Sequence, residues 1–355
     1  MCFCANLTEA HYSMSAQPAE KLKAWNFSKK LPRHEVFSII PLAEITLATT
    51  FLTVGILISF AFGFDFSFPS SKALDFTGMS YSVPLSLISL LGFYLIWKKQ
   101  TMRLAYYVTA AAAYAIILTT HFNIKLWSSL INPNLWDSFY WKSDQMFRPL
   151  IETSFFIHRE IEKLFQSVDH LYLFAFLAMF AGSIIVHSMQ CFMVFRKVLF
   201  SAMLVHVLGG LSYLAMPAVG PFIYEPGVNA LETARQEHMY GGYRALLAGG
   251  RPWISSQGSQ FMFAAVAAMP SLHVASSAVF VHYAWQHARW LGMLYLPLFT
   301  FIMFEAMATR WHYAIDLAAG LALTAVAIAV TAAVFRPIET HQTMRNNRRE
   351  APASA

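Results

Sequence analysis

Residues 309–336 read TRWHYAIDLAAGLALTAVAIAVTAAVFR, and Asp316 is the only charged side chain from Tyr313 to Phe335. A helix needs about 20 apolar residues to cross the hydrocarbon core of a bilayer, and this run supplies them. Working outward, similar runs occupy Val36–Phe64, Gly78–Trp97, Leu104–Thr120, His170–Phe195, Val198–Pro217, Pro270–His287 and Trp290–Ala308. The expected fold class is therefore an all-α polytopic membrane protein with about eight transmembrane helices. Composition points the same way: the 355 residues are 57% hydrophobic and 12% charged, against roughly 25% charged in soluble domains. Residues 1–35 read as a cytoplasmic N-terminal segment, 36–336 as one transmembrane catalytic domain and 337–355 as a disordered cytoplasmic tail.

The net charge of +6 reports topology rather than a nucleic-acid partner, because the basic residues fall between apolar runs instead of forming one face. Lys21, Lys23, Lys29, Lys30 and Arg33 precede the first span. Lys98, Lys99 and Arg103 join the second to the third, Arg196 and Lys197 the fourth to the fifth, and Arg289 the sixth to the seventh. Arg336, Arg345, Arg348 and Arg349 follow the eighth. With eight spans all five segments share one side, which the positive-inside rule makes cytoplasmic. Both termini then lie inside, and Asp65–Thr77, His121–Asp169, Ala218–Met269 and the turn around Arg310 lie outside. Helix-compatible stretches such as Ile151–Ser167 read as amphipathic helices at the outer surface, and Glu44 is expected to reach the inner interface. The first run lacks a cleavage site and reads as a retained anchor. The cysteines Cys2, Cys4 and Cys191 form no disulfide framework.

Ionisable groups at membrane depth are costly and mark function. His273, in Met269-Pro270-Ser271-Leu272-His273, opens the sixth span, and His312 opens the eighth. Both helices run inward, so two N-termini with free N–H groups face outward together and favour an anion, with Pro270 placed in a first helical turn. His312 and Asp316 are four residues apart, on one helix face. A carboxylate on one ring nitrogen fixes the tautomer and leaves the other nitrogen as nucleophile or base. Arg310 and Arg251 lie on the same expected side, as cations for phosphoryl oxygens. His187, His206 and His282 read as structural, and Glu305 as a support of the site or a partner of Arg310. Two other classes stand beside this one. A metal-dependent hydrolase would use His273, His312 and Asp316 as ligands, but the helical His/Asp pair lacks the glutamate of the zinc-protease motif. A transporter would carry its charges near the midplane in broken helices of corresponding halves, and here they cluster at one face.

Pro270-Ser271-Leu272-His273, followed by His312-Tyr313-Ala314-Ile315-Asp316-Leu317-Ala318-Ala319-Gly320, resembles the second and third signatures of the type 2 phosphatidic acid phosphatase superfamily. Arg310, Tyr313 and the segment Tyr213, Pro217, Gly220, Pro221 resemble its inositol phosphorylceramide synthase (aureobasidin-resistance) branch more closely. The resemblance covers roughly Tyr213–Gly320. It implies a phosphatidic acid phosphatase-like helical core with His312 as the nucleophile that forms a phosphohistidine, Asp316 as its orienter, and His273 as acid for the leaving group and then base for the acceptor. Glu305-Ala306 stand where the phosphatases carry Ser-Arg, so Arg310 takes over that charge. The first signature, Lys-x6-Arg-Pro, has its counterpart in Arg244-x6-Arg251-Pro252, with Lys142-x5-Arg148-Pro149 as a near miss. Arg310, Arg251, Ser271 and Arg244 make up the expected phosphate-binding set. The implied activity is transfer or hydrolysis of a lipid phosphate at the extracytoplasmic face, with a lipid phosphate substrate, membrane lipids as surroundings, and no metal or other cofactor.

Overall fold

The computed structural model describes residues 41–73, 82–165, 168–263 and 269–350. Within them the chain is helical, without a strand. The helices are α1 (Leu42–Phe62), α2 (Ser82–Trp97), α3 (Thr101–Ile131), α4 (Asp137–Met146), α5 (Arg148–Leu164), α6 (Val168–Gln190), α7 (Phe192–Ala215), α8 (Ala230–Phe261), α9 (Leu272–His287), α10 (Arg289–Ala308) and α11 (Ala314–Glu350). The N-terminal segment 1–35 and the entry to the first span lie outside the described residues.

Six helices, α1, α3, α6, α7, α10 and α11, are long and apolar enough to cross a membrane, which makes this an integral membrane protein. Each of the eight expected spans coincides with a helix. However, α2 and α9 have 16 residues each, about 24 Å of helix, short of the roughly 30 Å hydrocarbon core.

α7 is the axis of the bundle. Two-thirds of its apolar window is buried (67%), against 17% for α1. One apolar core joins it to α1 and α3, the other to α6, α9, α10 and α11. An all-round apolar helix is what such a central position demands.

Three expectations need correction. The break between the fourth and fifth spans falls at Cys191, whose backbone is extended (φ −148°, ψ 113°), not at Arg196-Lys197. Arg196 lies inside α7 and is buried because Glu44 neutralises it: its Nε and Nη2 donate to the two Glu44 oxygens at 3.0 Å. Glu44 in turn is buried rather than interfacial, and its carboxylate also accepts from Tyr106 Oη at 2.7 Å. That triad ties α1, α3 and α7 together, and a charge this deep persists only when so fully hydrogen-bonded. Finally, the tail expected to be disordered from 337 onward continues as helix to Glu350, with Glu339 paired to Lys197. The amphipathic stretch after Arg148 does form a helix, α5, which buries Ile151, Ser154, Phe155 and His158 and packs on α10.

Candidate active site

The site is built on the turn between α10 and α11. After Ala308 the chain passes through Arg310 at φ +58°, a left-handed conformation that costs a non-glycine residue about 1–2 kcal/mol. His312 N–H donates back to Ala306 O at 3.2 Å, and Thr309 Oγ1 to Glu305 O at 2.8 Å. Asp144 on α4 holds the strained turn from both sides: Oδ2 accepts from Arg310 Nη2 at 2.9 Å, and Oδ1 from Ala314 N–H at 2.8 Å, at the start of α11. Asp137, two turns earlier on the same face of α4, accepts from Tyr313 Oη at 2.7 Å and from the N–H groups of Val219 and Gly220. Gly220 has φ +127°, and a Cβ there would sit 3.2 Å from Trp311 O, so the Pro217–Pro221 segment can wrap the turn only with glycine at that place. Trp311 Nε1 donates to Glu232, and Gln236 Nε2 to Thr309 O, both from α8.

His312 lies within this turn, ahead of the first helical residue, Ala314. The expected shared helix face is therefore not what joins it to Asp316. Asp316 sits in the first turn of α11, and its Oδ2 folds back to accept from Tyr313 N–H at 2.9 Å, half of a capping box. The same oxygen lies 3.4 Å from His312 Nδ1, a long contact of the kind that tightens when substrate arrives. Asp316 is fully buried, and its Oδ1 has no hydrogen-bond partner. The carboxylate is thus underused by the fold and available to a charged imidazole. His312 keeps 12% of its side chain exposed.

The second histidine comes in on α9. Ser271 caps that helix in an extended conformation and its N–H donates to Asp316 O at 3.1 Å, which splices the head of α9 to the head of α11. Pro270 consequently stands before the cap and not in the first turn. Gly320 makes the splice possible, because a Cβ there would lie 2.7 Å from Ser271 O. His273 falls in the first turn of α9, packed edge-on to Tyr172 and Phe176 of α6 and within electrostatic reach of His312. Ser271 Oγ is buried without a hydrogen-bond partner.

Arg310 is fully buried over the Trp141 ring, and its Nε and Nη1 have no hydrogen-bond partner. Leaving such donors unmet costs about 1–3 kcal/mol each, unless a ligand oxygen meets them. Glu225 stands 3.6 Å from Arg310 Nε and is gripped through both oxygens at 2.8 Å by Arg148, which raises the Arg148 pKa. Burial pushes the Asp144 carboxyl above the ordinary carboxylate range, while the Ala314 amide and Arg310 pull it down. Arg244 and Arg251 are placed elsewhere. Arg244 is exposed over Tyr240. Arg251 follows the α8 kink at Gly250 and lies against Gly63, the C-cap of α1, where a cation complements the helix dipole. Neither forms a hydrogen bond or ion pair with His312, Asp316 or Arg310. Among the described residues no three His, Cys, Asp or Glu side chains gather as a metal would require.

A family model described as the PAP2 superfamily matches residues 147–330, just over half of the chain. The chain belongs to the PAP2 superfamily. Searches of curated proteins and of solved structures gave no match. The PAP2 segment contains His273, His312, Asp316 and Arg310, whereas Asp137 and Asp144 lie just before it on α4. Sequence reasoning missed both aspartates. The available signal was their i, i+7 spacing, which puts both on one face of a short helix. Glu305, weighed as a partner of Arg310, instead meets His158 of α5 at 2.9–3.0 Å.

Asp144 acts through Arg310 and the α11 N-terminus. Asp144→Asn keeps an acceptor for Ala314 N–H but strips the charge, leaving Arg310 a buried cation with only the more distant Glu225. We expect about 3 kcal/mol of destabilisation, read as a lower Tm in detergent, together with a roughly 100-fold drop in kcat/KM from a displaced guanidinium. Unchanged values of both would remove Asp144 from the site.

Proposed function

We propose that this PAP2 protein is a metal-independent lipid phosphate phosphotransferase, inositolphosphotransferase-like, working through a phosphohistidine at the extracytoplasmic membrane face. The observation that carries the reading is the convergence of His312, backed by the half-used carboxylate of Asp316, with a buried Arg310 whose Nε and Nη1 make no hydrogen bond, Glu225 standing 3.6 Å from Nε. In the first step the His312 ring nitrogen turned away from Asp316 attacks phosphorus. The P–O bond to the leaving group breaks, and protonated His273 gives its proton to the departing oxygen. In the second step neutral His273 takes the proton of an acceptor hydroxyl, whose oxygen attacks phosphorus as the P–N bond breaks, and His312 is restored. Arg310 and Ser271 Oγ receive the phosphoryl oxygens, where charge builds in the transition state. Arg251 and Arg244, included in the phosphate-binding set by the motif resemblance, lack this convergence, so we assign the phosphoryl group to Arg310 and Ser271.

The preference for transfer over hydrolysis rests on the resemblance of Arg310, Tyr313 and the Tyr213–Pro221 segment to the inositol phosphorylceramide synthase branch. The packing around His312 supports it, since the helices α4, α5 and α8 cover the turn and leave His312 little exposed, and a transferase must keep bulk water from the phosphoenzyme. The alternative is a lipid phosphate phosphatase acting on phosphatidate or a polyprenyl pyrophosphate.

One assay tests both. Purified protein with excess EDTA is given donor lipids labelled in the phosphoryl group, with diacylglycerol, ceramide or inositol-containing lipids as acceptors. We expect labelled lipid product to form faster than free phosphate, and vanadate to inhibit. Free phosphate alone, at a rate indifferent to acceptor, replaces transfer by hydrolysis, and loss of turnover on chelation with rescue by Zn²⁺ or Mg²⁺ sinks metal independence. Run in sealed vesicles of known orientation, the same assay locates the site by the side from which a membrane-impermeant inhibitor acts.

A further inference from the structure

Lys125 stands alone on α3. From Leu104 to Trp136 it is the only Lys, Arg, Asp or Glu, and it sits among buried neighbours, Asn123, Ile124, Leu126 and Trp127, itself half-buried. Lys163 and Lys197 each meet a glutamate, but Lys125 makes no ion pair among the described residues. An ammonium held inside a membrane bundle without a counter-ion is unfavourable, and folds retain such groups where an anion is to be met.

Packing sets the depth of Lys125. His121, one turn earlier on the same face of α3, has Nδ1 2.8 Å from His206 O on α7. A Cβ on Gly210 would come 3.0 Å from His121 Nδ1, and one on Gly209 would strike the Leu272 side chain at 2.4 Å. Leu272 immediately precedes His273. The chain of contacts therefore puts the head of α9 at the level of His121, with Lys125 one turn beyond it towards the end of the bundle that carries the reactive turn. Lys125 is within electrostatic reach of both His121 and His273.

We propose that Lys125 is a phosphate-binding residue, a second cation that holds the phosphate group of the substrate beside His273, contributed by a helix outside the PAP2 segment. The proposal rests on the phosphoryl-transfer reading for its substrate class but not for its test. Arg310 and Lys125 would approach the phosphate from different helices, α3 from one half of the bundle and the α10–α11 turn from the other, so that the anion itself closes the gap between them. A lysine suits this place as a compact point charge on a flexible stem.

Binding is measured with no turnover required: phosphatidate in nanodiscs of neutral lipid in one arm, and inorganic phosphate in the other, each against wild type, Lys125→Met and Lys125→Arg. We expect Lys125→Met to weaken binding at least about tenfold, the loss of one charge-assisted contact, and Lys125→Arg to stay near wild type. The arm that responds tells whether the lipid or the free anion is the ligand. On the unmutated protein, phosphatidate or phosphate should slow acetylation of Lys125 by acetic anhydride, read by mass spectrometry, so a variant that fails to fold does not decide the matter. Equal binding by wild type and Lys125→Met, no binding by wild type in either arm, or acetylation indifferent to both ligands overturns the proposal and leaves Lys125 a residue reaching for the interface. Binding through Lys125 without any turnover would overturn the phosphotransferase reading alone. Turnover with an unchanged KM in Lys125→Met would overturn Lys125 alone.

Discussion

His312→Ala is expected to abolish turnover, with kcat falling roughly a million-fold, as when a covalent nucleophile is deleted from an enzyme that depends on it. The fold should survive. His312 occupies a turn and not a helix interior, part of its side chain is exposed, and the hydrogen bonds that shape the turn come from its backbone and from Asp144, Asp137 and Gln236. The control is therefore an unchanged Tm beside a lost activity. The covalent step has its own readout: acid-labile, base-stable label on wild-type protein after brief exposure to labelled donor lipid, absent from the variant. Wild-type rates in His312→Ala would show that another group attacks phosphorus.

Asp316→Asn should slow turnover by about ten-thousand-fold, the scale seen where a histidine loses the carboxylate that holds its tautomer and balances its charge. The substitution is chosen because the amide oxygen can still accept from Tyr313 N–H and so keep the cap of α11, whereas Asp316→Ala would forfeit about 1 kcal/mol of capping as well. The buried, unpartnered Oδ1 is the reason to expect a catalytic rather than a structural loss. An Asp316→Asn protein with normal Tm and less than tenfold loss of kcat would reduce this carboxylate to a helix cap.

The individual helices were legible in the residues because the apolar runs have the length a bilayer demands; the break at Cys191 was not, because no charge marks it and the nearest basic residues, Arg196 and Lys197, lie inside α7. His312, Asp316 and His273 were legible as well, since polar groups at the ends of apolar runs are few and their spacing is short-range. The reason behind one spacing was not. His312 and Asp316 meet because a carboxylate in the first turn folds back over its own N-cap, not because both lie on a helix face.

Sequence alone thus determined what depends on neighbours along the chain: helical class, membrane residence and the candidate pair His312 and Asp316. Tertiary structure decided which charges face each other across helices. Arg196 read as a loop marker until Glu44, 152 residues earlier, neutralised it. Arg310 is held in its turn by Asp144, 166 residues away, through one of its nitrogens, and its Nε and Nη1 make no hydrogen bond. Arg251, equally basic, went to the end of α1. A cation's role depends on the burial and partners supplied by distant segments, and no local pattern carries that information.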